Sequence, residues 1–284
     1  MLATRSPAAQ GFTFTGDKMK QYQDMLRFIM KNGIEQDDRT GTGTIGLPGY
    51  TMRFNLQKGL PVVTTKKIHL KSVIYELLFF ISGETNIKSL QENGVKIWDS
   101  WGEDGELGPT YGHQWRKYGQ KPFGTLSQGI DQINYVLELL RSNPNSRRMV
   151  VSAWNPVDLD YVALTWCHCL FQLTVWNGKL TCHVYQRSCD AFLGCPFNIT
   201  SYALLTHMLA QQADLAVGEL IWTGGHVHIY KNHLEQVEEQ LSREPRPLPI
   251  LNLHKAVNID NYRYEDFKIV GYDPWSAIKA EVSV

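Results

Sequence analysis

Asn177-Gly178 sits between two runs rich in β-branched and aromatic residues, 170–176 and 179–186. An Asn-Gly pair in that setting is the strongest short-range signal for a β-hairpin, because its two-residue turn needs φ > 0 at both positions. The turn is also a ruler. Stepping outward from it without a bulge, His168 faces Arg187 and Cys167 faces Ser188; one bulge shifts the ruler by a residue. This register predicts a cysteine beside a guanidinium. A permanent neighbouring cation favours thiolate over thiol, and thiolate is the nucleophile. Free cysteines are mostly buried small hydrophobes, and Cys182 and Cys195 read that way. Cys167 is set apart by the Arg-Ser-Cys-Asp run at 187–190 delivered to its side, with Asn198 following on a Gly-broken loop.

The 284 residues suffice for one large domain or two small ones. Lys+Arg and Asp+Glu both number 28, so no global basic field draws the chain to nucleic acid. The five cysteines are an odd number without a framework spacing. They read as free thiols in a reducing compartment, which implies the cytoplasm. The longest apolar stretch, 73–81, carries Glu76 and is too short to span a bilayer. Residues 1–18 lack the apolar core of a signal peptide and read as a flexible extension before a domain over 19–284.

Along the chain, 19–32 predicts a helix with Tyr22, Met25, Leu26, Ile29 and Met30 on one stripe, ended by Gly33. DRTGTGT at 38–44 is a plain turn, or a phosphate loop offering backbone N–H groups, hydroxyls and Arg39. Residues 46–55 and 61–64 read as strands, and 69–83 as a buried helix. Glu76 inside that helix is either a hydrogen-bonded structural carboxyl or a proton carrier with a raised pKa. Residues 130–141 predict an amphipathic helix with Ile130, Ile133, Val136, Leu137 and Leu140 inward. Arg147 and Arg148 lead into a strand, MVVSAW. Adjacent strand residues point to opposite faces, so one chain cannot easily aim both at its own pocket; a solvated basic turn is the plain reading.

Residues 199–215 predict a long helix with Asn198 at its N-cap position. Residues 219–230 read as a strand with His226, His228 and Tyr230 on one face. The His-x-His spacing invites zinc, but no cysteine or acidic partner stands at ligand spacing nearby, so no metal is expected.

CHCLFQLTVWNGKLTCHVYQRSCDAFLGCPFNITSYALLTHMLAQQ, then GGHVHIYKNHLEQ and LSREPRPLP, resembles the folate-dependent, cysteine-using thymidylate synthase family, which includes pyrimidine nucleotide hydroxymethylases. DRTGTGT, WDSWGEDGELGPTYGHQW, SRRMVVSAWNP and YEDFKIVGYDP add to it in the expected order, from Met19 to Val284. The resemblance implies an α/β (α+β) single domain: a mixed, mostly antiparallel twisted sheet flanked by helices. The sheet would pack on its mate in a two-fold homodimer with shared sites. Substrate and co-substrate would be dUMP and 5,10-methylenetetrahydrofolate, with no membrane or nucleic-acid partner.

By the same resemblance, the Cys167 thiolate attacks C6 of the pyrimidine and C5 takes a one-carbon unit. Arg187 stabilises the thiolate and, with Ser188, Gln186, Arg39, Asp190 and the partner's copies of Arg147 and Arg148, holds the nucleotide. Glu76 relays protons through water, Tyr111 assists loss of the C5 proton, and His168 and Asn198 stabilise charge at O4. His228 and Tyr230 bind the sugar 3′-hydroxyl. Ile97, Trp98, Trp101, Leu164, Asp190, Gly194, Phe197 and Ser283 surround the folate, with Asp190 on the pterin N–H groups. Asn198 offers an acceptor to N3–H and a donor to O4, the pattern of uracil and not of cytosine.

Hydride in the last step gives dTMP and dihydrofolate; water gives a 5-hydroxymethyl nucleotide. Trp166, Phe79, His226, Trp275-Ser276, Glu281 and Ser283 depart from the family's usual residues and fit a hydroxymethylase, whereas Trp98 and the apolar Val284 fit a synthase. A catalytically silent nucleotide- or RNA-binding relative is the alternative of a different class.

Overall fold

Helix α1 (Lys20–Asn32) buries Tyr22, Met25, Leu26 and Ile29 along one stripe, as the 3.6-residue period requires. The computed structural model describes residues 18–122 and 124–283; the extension expected over 1–18 lies outside them apart from Lys18, and so does Val284. Strands β1 (Ile34–Gln36) and β2 (Thr44–Asn55) follow, then helices α2 (Leu70–Ser82), α3 (Lys88–Glu92), α4 (Tyr111–Lys117) and α5 (Gln132–Ser142). The second half runs β3 (Val150–Ser152), β4 (His168–Trp176), β5 (Lys179–Asp190), α6 (Gly194–Gln212), β6 (Ala216–Tyr230), α7 (Leu234–Ser242), β7 (Ile250–Leu253) and β8 (Phe267–Val270).

Six strands form one sheet in the order β1-β2-β6-β5-β4-β3, while β7 and β8 pair separately. Only β5–β6 is parallel; α6 makes the crossover and packs on both strands. Helix α6 is apolar nearly all round and is buried accordingly. Helix α1 lies on β2, and α2 packs between α4 and α6. The other sheet face carries exposed Leu170, Tyr185 and Trp176. The expected single mixed α/β domain with a mostly antiparallel sheet is the fold observed.

Three of the differences from expectation have causes visible in the hydrogen bonds and caps. Residues 61–64 are buried but form no strand: the Val63 carbonyl accepts from Tyr272 Oη and the Thr64 carbonyl from Trp275 N. Their β-branched composition reflects burial rather than a ladder. Helix α5 starts at Gln132, because Asp131 caps it by accepting from Asn134 N; Ile130 lies before the cap and is exposed, not inward. Helix α6 starts at Gly194, five residues early. Pro196 falls in its first turn, where its missing N–H has no intrahelical role. Asn198 is therefore inside the helix and is not its cap.

Candidate active site

Asn177 and Gly178 both have positive φ, 51° and 72°, as the hairpin turn demands. The ruler holds from Trp176 opposite Lys179 to Leu170 opposite Tyr185. Between His168 and Leu170 the register shifts at a bulge, where the Cys169 carbonyl turns to accept from Ala153 N and Trp154 N. Beyond it His168 faces Gln186 rather than Arg187. Arg187 N donates to the Cys167 carbonyl at 2.7 Å, so Cys167 stands across from Arg187 and not from Ser188.

The Thr165 carbonyl fixes the side chains. It accepts from Arg187 Nη2 at 3.0 Å and from the Cys167 thiol at 3.8 Å. Arg187 Nε donates to the Trp166 carbonyl, and its guanidinium lies over Trp154. Tyr111 Oη accepts from Cys167 N at 2.7 Å. The lowering field expected from the neighbouring cation is present, and burial opposes it. Burial raises the Cys167 pKa, and the opposing fields of Arg187 and Arg39 do not cancel it. Arg187 and Arg39 are the two cations whose fields favour charge on this sulphur.

Behind the cysteine the rings of Tyr111 and His168 stack at 3.8 Å. His168 Nδ1 pairs with Tyr202 Oη, and burial lowers its pKa to about 3, so it is neutral. Glu76 accepts from Trp98 Nε1 at 2.8 Å, and burial lifts its pKa to about 7. The hydrogen bond is the one expected of a structural carboxyl, and the raised pKa is the property a proton carrier would need.

A second wall sets hydrogen-bond polarity. Trp222 Nε1, a donor only, donates to Gln186 Oε1 at 2.9 Å. That turns Gln186 Nε2 toward the Ser188 carbonyl and Asn198 Oδ1, at 3.1 and 3.0 Å. Asn198 is held with Oδ1 as acceptor, leaving its Nδ2 donor unengaged within the described residues. Gly224 makes this possible: a Cβ there would lie 2.4 Å from the Trp222 ring.

Asp190 Oδ1 accepts from Phe192 N and Leu193 N, pinning the entry to α6. Asp38 accepts from Thr40 and Gly43 N and so shapes the loop bearing Arg39, whose field reaches Cys167 and Tyr230. His228 lies opposite Asp190. Its Nδ1 is 3.1 Å from His226 Nδ1, and His226 Nε2 is 3.0 Å from Gln36 Oε1. Among the described residues no group of three His, Cys, Asp or Glu is placed to hold a metal.

The sequence model of the family described as thymidylate synthase matches residues 20–284. The chain belongs to the thymidylate synthase family. That makes it a member of an enzyme family of one-carbon transfer with methylenetetrahydrofolate as co-substrate.

Against this family's expected site, the fold gathers Cys167, Arg187, Tyr111, His168 and, through electrostatic coupling to Tyr111, Glu76. Gln186, Ser188, Asn198 and Asp190 form the adjoining wall. Trp101, Leu164 and Phe197 are half-buried against the core, Trp98 is buried, Ile97 is exposed, and Gly194 opens α6. Ser283 Oγ accepts from Thr42 Oγ1 at 3.2 Å, bringing the tail onto the Arg39 loop. Arg147 and Arg148 are exposed before edge strand β3 and make no ion pair among the described residues.

Trp222, Tyr202, His233 and Gln36 were missed as contributors from the sequence. Trp222 had a signal, a large aromatic two residues before the Gly224-Gly225 pair. Gln36 had none, since its partner lies 190 residues away.

Proposed function

We propose that this chain methylates C5 of dUMP with 5,10-methylenetetrahydrofolate, giving dTMP and dihydrofolate. The observation that carries the reading is the hairpin bulge, which aligns a half-buried thiol with a fixed guanidinium beside an amide of set polarity. Cys167 adds to C6, and Arg187 and Arg39 take up the negative charge on sulphur as it loses its proton. Asn198 Nδ2 donates to O4 and Oδ1 accepts from N3–H, which suits uracil. Glu76, titrating near neutrality, supplies protons around O4, and neutral His168 takes part there by hydrogen bonding only. Tyr111 Oη, next to Cys167 N, serves the C5 proton. Arg39, Arg187 and Ser188 hold phosphate; His228 and Tyr230 bind the sugar.

The half-buried aromatic and aliphatic surface of Trp101, Leu164 and Phe197 suits a flat pterin and its aryl group, with Ile97, Trp98, Asp190, Gly194 and Ser283 around it. When bound, the folate supplies the one-carbon unit and then the hydride.

Methylation is preferred to hydroxymethylation because several departures add nothing to the pocket lining. Trp166 and Phe79 are buried in the core and present no side-chain surface to the pocket. Trp275 is anchored outside the site by Arg246 and the Glu244 carbonyl. The tail is held by Thr42 and by His233 Nε2 on the Glu281 carbonyl, which favours exclusion of water.

The reading includes a two-fold dimer. Its support is the exposed Leu170 and Tyr185 on the open sheet face, and Arg147 and Arg148, which make no ion pair among the described residues and which a second copy would use at its phosphate site. No helix among the described residues is long and apolar enough to cross a membrane. Five free thiols favour a cytoplasmic location.

The test is incubation with 5-fluoro-dUMP and methylenetetrahydrofolate. A covalent adduct at Cys167 is expected; its absence would leave the silent binding protein. With dUMP, product mass should be that of dTMP with dihydrofolate absorbance appearing. A 5-hydroxymethyl product without that absorbance would overturn the methylase reading.

A further inference from the structure

His226 and His228 meet through like atoms, Nδ1 to Nδ1 at 3.1 Å. One proton, and only one, can occupy that line. Two would collide, and none would set two lone pairs against each other. The outer nitrogen of His226, Nε2, lies 3.0 Å from an amide oxygen, Gln36 Oε1, which only accepts. With the Gln36 amide in that orientation, Nε2 of His226 carries a hydrogen. A neutral imidazole has one hydrogen, so its Nδ1 is bare. The shared proton then belongs to His228 Nδ1, which leaves His228 Nε2 as a bare acceptor. That nitrogen has no hydrogen bond among the described residues. The pair is seated tightly: a Cβ on Gly46 would be 3.2 Å from both His226 Cε1 and His228 Cβ.

We propose that His226 is a positioning residue that fixes His228 as a hydrogen-bond acceptor for the sugar hydroxyl of the nucleotide. The identity of the ligand rests on the function proposed above; the tautomer does not. The pair thereby selects a nucleotide whose 3′ position can donate a hydrogen. Adding one proton to the pair fills every outer nitrogen, so His228 Nε2 becomes a donor and the selection is lost.

The charged groups around the pair oppose one another. Asp190 on β5 and Asp38 on the loop after β1 favour the extra proton; burial and His226 itself disfavour it and prevail, lowering the His228 pKa. From β2 only Gly46 and Pro48 face the pair, from β5 Ser188 also faces His226, and Tyr230 packs edge-on against His228. None of these brings a charge.

The first readout is the 15N spectrum of the histidines in the full chain near pH 8. His228 should be protonated on Nδ1 in the wild type and in His226→Asp, whose carboxylate accepts the same hydrogen. His226→Leu should move His228 toward the Nε2–H form. The second readout is affinity for dUMP against its 3′-O-methyl ether, which can accept a hydrogen bond but not donate one, and in which the phosphate contribution cancels. Wild type and His226→Asp should prefer dUMP about tenfold near pH 8. His226→Leu should lose most of that preference, and wild type should lose it on acidification. An Nε2–H tautomer in the wild type, or an undiminished preference in His226→Leu, would overturn the proposal. If the wild type binds neither nucleotide, the nucleotide reading fails, and the nitrogen shifts still decide the tautomer.

Discussion

Trp98 Nε1 donates to the Glu76 carboxyl at 2.8 Å inside a wall of aromatic rings. The bond favours the ionised acid, burial favours the neutral one, and burial wins, with a pKa of about 7. The unfolded chain releases this proton near 4.5. Between those values the folded protein keeps a proton that the unfolded chain has lost, so stability falls as pH rises through the window. Glu76→Gln keeps an acceptor for Trp98 and removes the titration. Urea unfolding should show the variant gaining on wild type from about pH 5 to about pH 8, by up to about 3 kcal/mol. A difference independent of pH would refute the buried-acid account.

Cys167 is half-buried and the other four cysteines are buried. It should be the first thiol alkylated by iodoacetamide, with a midpoint above the usual value of about 8.5. Arg187→Gln removes the larger lowering field and should move the midpoint higher still. Cys167→Ser should cut turnover about 10⁴-fold or more while nucleotide binding persists. Turnover near wild type in that variant would mean another nucleophile.

Trp222→Phe preserves the ring in its buried slot and deletes the donor to Gln186. Gln186 and then Asn198 become free to reverse. Preference for the uracil over the cytosine nucleotide should fall about tenfold, with a stability loss of about 1–2 kcal/mol. Asn198→Asp should shift preference further toward cytosine. Competitive binding of dUMP and dCMP reads both, and an unchanged ratio would remove the polarity argument.

Deleting residues 281–284 removes the Ser283–Thr42 and Glu281–His233 contacts. Folate KM should rise about tenfold, and 5-hydroxymethyl product should appear as water gains entry. Product mass against time is the measurement. Unaltered KM and product would show that the tail has no part in closing the site.

Much of the site was legible because its signals are local. Asn177-Gly178 set the hairpin, and alternation along its arms set which residues share a face. The stripes of α1 and α2 follow the helical period. The bulge was not legible, since it is stabilised by Ala153 and Trp154 donating to Cys169 from the segment just after β3. Nor was the true start of α6: an Asn before an apolar run is an ordinary cap, and only the packed first turn moves it inside.

Chain order alone determined that a cysteine and an arginine would come within a residue of each other at the open end of one hairpin, because turn geometry propagates by counting until a bulge intervenes. Tertiary structure alone decided the electrostatics and polarity: a thiol whose pKa burial raises, a glutamic acid shifted to about 7, an amide oriented by a distant indole. Those depend on desolvation and on donor-only or acceptor-only partners brought from remote segments. Neither can be counted along a sequence.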